Sequence, residues 1–364
     1  MLSVSKGACH NIFVYDIAFS IDLNEAERRI TSFKQREVIK HKRPAPQYFA
    51  YRSAPLRISQ DTGPAIVIGE ITTNAQVELV AYDFGAVCVI YRIALDEKVS
   101  DLLSLSQRLY ENEQLLSDSR RRVEELLGVI GPAVTKSNVA AFVEDYLIFH
   151  VAAFQEPVSI ADLTTRYAAR VAQILRAEPS ELSADEISDA LSHRISYSRD
   201  DVTVVDWNAA LVVDKSPQDV MTVLEFANVE LLEMRFLDQR LDDALTRAYE
   251  LSRRPQKWFS FRSVPADLRD ISQWQVDSAI LFEGVNNVLK LLGDQYMARL
   301  YRLVAQRFHL TDWDSSIFRK LETLERIYEK ISDQMVTRRM EVLEWIIIVL
   351  IAVSIILPFF SLGK

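Results

Sequence analysis

Acidic side chains offer the first chemistry in this chain. Glu144 and Asp145 are adjacent, and Asp200, Asp201 and Asp206 fall close together. Paired carboxylates act as general acid and base when their surroundings split their pKa values. A hydrolase could use Asp201 with Asp206, or Glu144 with Asp145, in this way. Acids beside strand ends also serve as turn and cap residues, and that plainer role is expected here. Cys9 precedes His10, but a metal site needs three or four converging ligands, and His41, His150, His193 and His309 show no paired spacing. The 9 glycines never reach the GxGxxG or GxxxxGK spacing that cradles phosphate. Asp83-Phe84-Gly85 copies a kinase magnesium motif without its catalytic loop or strand lysine, so it reads as a turn. Neither a GxSxG elbow nor an HExxH helix occurs. No catalytic, cofactor-binding or metal-binding residue is expected, and the chain does not read as an enzyme.

Charge narrows the partners. The formal net charge is -9, and an acidic surface repels phosphate, which disfavours general affinity for nucleic acid. One stretch runs the other way: Lys34, Arg36, Lys40, Lys42 and Arg43 stand against Glu37 alone. It reads as a solvated helix end and loop, or as a patch for RNA, anionic lipid or an acidic partner. Two cysteines build no disulfide framework, which fits a reducing compartment.

These groups must be positioned by a chain of 364 residues, long enough for two domains. Residues 1–215 mix strands and helices without a regular βαβ repeat and are expected to form an α+β domain. NIFVYDIAF, PLRIS, AIVIGEI and FVEDYLIFHVAAF read as strands. VELVAYDFGAVCVIYRI reads as a strand pair, and DVTVVDWNAALVVD as a strand or hairpin. DLNEAERRI places Leu23, Ala26 and Ile30 on one helical face. Residues 98–130 read as helical up to Gly131-Pro132.

From Ser216 the pattern changes. SPQD supplies a cap serine, a first-turn proline and an acid. Alternating steps of four and three then give Val220, Leu224, Ala227, Leu231, Met234, Asp238, Leu241, Leu245 and Ala248, apolar except at Asp238. That is a coiled-coil seam. A third long helix repeats it with Ile317, Leu321, Leu324, Tyr328, Ile331 and Met335. Residues 216–341 are therefore expected to form a long α-helical, coiled-coil-like hairpin. Leu224, Leu231, Leu241, Leu245, Leu321, Leu324, Tyr328 and Ile331 are its candidate oligomer seam.

Residues 342–364 carry the longest apolar run: Trp345, Ile346, Ile347, Ile348, Val349, Leu350, Ile351, Ala352, Val353, Ser354, Ile355, Ile356, Leu357, Pro358, Phe359, Phe360, Ser361 and Leu362. As a helix it would be about 27 Å long, near the hydrocarbon thickness of a bilayer. The expectation is one C-terminal transmembrane helix, a tail anchor with the lipid bilayer as partner. Basic residues before it outnumber Lys364 after it, which places the bulk in the cytoplasm at the inner membrane.

The helices and tail resemble the "required for meiotic nuclear division" family. The resemblance rests on LEFANVELLEMRFLDQRLDDAL, DQYMARLYRLVAQRFHLTDW and LERIYEKISDQMVTRRMEVLEWIIIVLIAV, with VELVAYDFGAVCVIYRI and DVTVVDWNAALVVD upstream. It implies a homo-oligomer that supports translation, holding ribosomes near a membrane, and it carries over no catalytic residue. Eukaryotic relatives sit in the mitochondrial inner membrane. This chain, without a presequence, resembles a bacterial member. The expected function is a membrane-tethered, self-associating scaffold. The alternatives are a membrane-associated hydrolase using an acidic cluster and a direct RNA-binding protein.

Overall fold

The structure, a computed structural model, describes residues 2–33, 54–61, 65–96, 101–253, 276 and 295–361. Strand β1 (Val4–Asp16) reads VSKGACHNIFVYD, and from Ala8 onward only His10 is not buried. A strand covered on both faces loses its alternation and reads as a nearly continuous apolar run. It pairs antiparallel with β7 (Ala86–Leu95) on one side and β9 (Glu144–Phe154) on the other. At Gly7 the strands run so close that a Cβ would sit 2.3 Å from the His150 carbonyl oxygen.

The sheet extends from β7 to β6 (Gln76–Ala81) and then to β3 (Leu56–Asp61). On the far side β9 runs parallel to β12 (Ala209–Val213), followed by β11 (Val202–Val205) and β10 (Arg194–Ile195). Its eight strands stand in the order β10-β11-β12-β9-β1-β7-β6-β3. Two short pairs complete the set: β2 (Ala18–Ile21) with β8 (Val134–Ser137), and β4 (Val67–Ile68) with β5 (Ile71–Thr72). Asp83-Phe84-Gly85 turns β6 into β7, with Gly85 at φ 107.

One sheet face, bearing Phe13, Tyr15, Val89, Tyr91 and Phe149, shares its core with the early helices. These are α1 (Leu23–Phe33), α2 (Leu102–Leu109), α3 (Glu113–Ile130), α4 (Ile160–Thr164), α5 (Ala168–Arg176) and α6 (Ala184–Ala190). Asp22 caps α1 by accepting from the amides of Asn24 and Glu25, at 3.1 and 3.0 Å. Residues 102–130 divide into α2 and α3 where Glu111 takes φ 49, and the side chain of Asn112 then caps α3.

The opposite face meets α7 (Gln218–Arg253), where the rings of Tyr82 and Phe226 lie 6.4 Å apart. Every α7 residue from Val223 to Met234 is buried. Two further helices follow, α8 (Gln295–Arg307) and α9 (Leu310–Ser361). The chain divides into two compact units: Met1–Leu237 with Leu281–Asp314, and Asp238–Ile280 with Ser315–Lys364. The helical start at Ser216 thus lies inside the first unit. In the second unit Asp238 accepts from Ser316 at 3.2 Å, and Asp242 pairs with Lys320 at 2.6 Å.

The tail is corrected. Among the described residues no helix is long and apolar enough to cross a membrane. Residues 345–361 continue the 52-residue α9. The side chains described from Trp345 end at Ser354. The side chains of Ile355, Ile356, Leu357, Pro358, Phe359, Phe360 and Ser361, and all of Leu362, lie outside the described residues. The expected fold class and tail anchor are therefore replaced by a mixed α/β unit on an eight-stranded sheet with long helices. The bilayer partner and inner-membrane location lose the span they rested on.

Candidate functional site

The densest polar site lies at the turn between β11 and β12, where Asp206 is 1% exposed. Its Oδ1 accepts from Arg307 Nε at 3.0 Å and from Arg307 Nη2, and its Oδ2 accepts from Arg176 Nε at 2.9 Å. Both guanidinium groups continue to Asp189 on α6, at 2.8 Å from Arg307 and 2.6 Å from Arg176. Arg176 also pairs with Glu186. The Arg307 hydrogen bond holds the Asp189 carboxyl below its ordinary range. The Asp206 carbonyl accepts from the Tyr146 hydroxyl at 2.9 Å, and the Trp207 amide donates to Asp206 Oδ1 at 2.8 Å.

At the surface of this network Trp207 is half exposed and stacks on His309, with centroids 5.2 Å apart and planes 18° apart. His309 takes φ 52 at the corner between α8 and α9, a left-handed conformation that ends one helix before the next begins. Asp206, saturated by two arginines and shut from water, has neither the free oxygen nor the access an acid–base residue needs. Its role is to clamp α5, α6 and α8 to the end of β11.

The other candidate acids lie apart from it. Asp201 accepts from the amides of Tyr197 at 2.8 Å and Ser198 at 2.5 Å, which makes it a turn residue. Asp200 donates its amide to Ser198 Oγ at 3.2 Å. Glu144 pairs with Arg235, and burial raises its carboxyl and that of Asp145 above their ordinary values. Cys9 and Cys88 are free and fully buried. Among the described residues no group of three or more His, Cys, Asp or Glu could hold a metal ion. Lys34, Arg36, Lys40, Lys42 and Arg43 lie outside the described residues.

A second polar group, missed in the sequence reading, lies on α7 beside the apolar seam. Glu225, Asn228, Glu230 and Glu233 are all buried. Glu225 accepts from Arg57 at 2.8 and 3.0 Å and from the Tyr82 hydroxyl at 2.7 Å. Glu230 accepts from the Tyr301 hydroxyl at 2.7 Å. Burial pushes its carboxyl up to about 8, and the Asp314 carboxylate adds to the rise while the Tyr301 hydrogen bond opposes it. Glu225, Glu230 and Glu233 fall within about 140° of one another around the helix, as acids on a solvated face also would, so the sequence held no local signal of their burial.

Of the candidate seam, Leu224, Leu231, Leu241, Leu324 and Ile331 are buried within the chain, and Leu245, Leu321 and Tyr328 are partly covered. On α9 Phe318 is exposed, and further exposed apolar side chains follow from Val336. Val336, Met340 and Leu343 are 54%, 55% and 58% exposed, and Trp345 through Ile351 lie between 49% and 62%.

Residues 6–219 match the family described as "Uncharacterized protein MJ0711, N-terminal domain", more than half of the chain. The uncharacterized protein MJ0711 of Methanocaldococcus jannaschii is 25% identical over 271 residues, 74% of this chain and 78% of its own length. No solved structure matches.

Proposed function

We propose that this chain, which belongs to the family described as the N-terminal domain of uncharacterized protein MJ0711, is a self-associating scaffold whose mixed α/β unit presents a binding surface. The observation that carries this reading is the exposed apolar end of α9, where Leu343 and Trp345 to Ile351 are each 49% exposed or more. A contiguous apolar surface of this kind marks an interaction site. Holding several copies together raises the effective concentration of each unit, so weak contacts to a shared partner add. The enzyme alternative finds less support, because Asp206 is locked between arginines and Asp201 is spent on a turn.

Sedimentation of the full chain across the micromolar range tests the proposal. The wild type is expected to run as a multimer, and Ile347→Glu with Leu350→Glu as a monomer with unchanged circular dichroism. A wild-type monomer throughout would overturn it. The resemblance to the "required for meiotic nuclear division" family adds the ribosome as the proposed shared partner. Co-sedimentation of the multimer with ribosomes, lost in the double variant, tests that addition.

A further inference from the structure

We infer that the solvent face of α8, with the aromatic pairs at its two ends, binds a single strand of nucleic acid. The inference gives the binding surface of the scaffold reading a place and a partner, and it stands whether or not the chain self-associates. Helix α8 buries Met297, Leu300, Val304 and Arg307. Its exposed residues, Gln295, Arg299, Arg302 and Gln306, advance by four, three and four and so form one stripe. No acid occurs between Gln295 and Arg307. Arg302 donates to the Ala298 carbonyl of its own helix. Among the described residues, no carboxylate pairs with Arg299 or Arg302.

Rings stand at both ends of the stripe. Tyr296 and Arg307 lie about three turns apart, roughly 17 Å, on one flank of the helix. At the first, Tyr197 packs edge-on to Tyr296 with centroids 5.2 Å apart and is 79% exposed. Asp201 fixes the turn that carries Tyr197, so the ring is held outward. Beside Arg307, Trp207 is 45% exposed, and His309, stacked on it, is 55% exposed. Asp201, Asp189 and Asp312, near the ends, are engaged by backbone amides, by arginines and by His309. Bases stack on exposed rings whatever their identity, and the phosphates between them meet the arginines. A protein partner would instead centre on an apolar anchor with a polar rim. Here charge holds the middle and rings the ends. The net charge of -9 disfavours nucleic acid elsewhere on the surface, which confines the affinity to this stripe.

Fluorescence anisotropy of a labelled oligouridylate of about ten nucleotides, titrated with the full chain, tests this. Saturable binding is expected at low salt, weakening as salt rises. Arg299→Gln with Arg302→Gln is expected to flatten the slope of log affinity on log salt by about 1.4. Tyr197→Ala is expected to bind about 5- to 150-fold more weakly with unchanged circular dichroism. Arg120→Gln with Arg121→Gln, the same charge change at exposed positions of α3, should leave binding as it was. No binding by the wild type, full affinity in Tyr197→Ala, or equal loss in the two arginine pairs would overturn the inference. Equal competition by polyglutamate would assign the stripe to an acidic protein chain and overturn it as well. Ile347→Glu with Leu350→Glu is expected to keep the affinity per chain. A wild-type monomer that binds therefore removes self-association alone, and a multimer that does not bind removes this inference alone.

Discussion

Glu230 is a carboxyl group in a place where its charge is costly. It is 2% exposed, its hydrogen bond comes from Tyr301, and Asp314 adds a second negative charge nearby. Its folded pKa of about 8 lies above the ordinary 4.5, so the folded chain holds this proton more tightly than the unfolded chain. Its contribution to stability is complete below the unfolded value and is lost as pH rises through about 8. Glu230→Gln keeps the neutral shape and removes the titration. Melting temperatures of wild type and variant should agree near pH 4, separate progressively as pH rises from about 4.5 to about 8, with the variant higher, and stay apart by a constant amount above that. Parallel curves would refute this placement. Asp206 presents the opposite case, a buried charge that is paired. Asp206→Asn leaves Arg176 and Arg307 short of their shared anion and should cost about 3–5 kcal/mol in urea denaturation. Asp201→Asn, at an exposed turn, should cost about 1 kcal/mol or less. Equal losses would mean that the two acids do the same work.

At the scale of elements, strands and turns were legible because their signals are local. Gly85 is the clearest instance: φ 107 favours glycine, and a Cβ there would sit 1.7 Å from the Ala18 carbonyl oxygen. Gly85→Ala should lose about 1–3 kcal/mol from backbone conformation alone, with the clash added, measurable as a lower urea midpoint. A change within a few tenths would show that the turn relaxes freely. Helix α7 was only half legible. Its apolar steps from Val220 mark a seam, yet Val223 to Met234 are buried all round. Spacing reports which residues avoid water, not how many neighbours surround them. The apolar run of α9 shows the same limit, since hydropathy alone suggested a bilayer where, among the described residues, no helix is long and apolar enough to cross one.

For the whole molecule, composition and local pattern were enough to read a mixture of strands and helices, the helix that follows Ser216 and the lack of familiar catalytic spacings. They also located the strand pairs around Asp83 and Asp206, because turn residues and alternating apolar residues act over a few positions. Tertiary structure alone decided the sheet order, including the parallel pairing of β12 with β9, since Ala209 and Leu147 are brought together from distant segments. It alone joined Asp206 to Arg307 across 101 positions and placed Glu230 beside Tyr301 across 71. Burial and long-range ion pairing depend on what the rest of the chain places around a side chain. Neighbouring letters carry the tendency to form a helix or strand, and only the packed chain determines which faces it covers and which, as on α9 beyond Ile331, it leaves exposed.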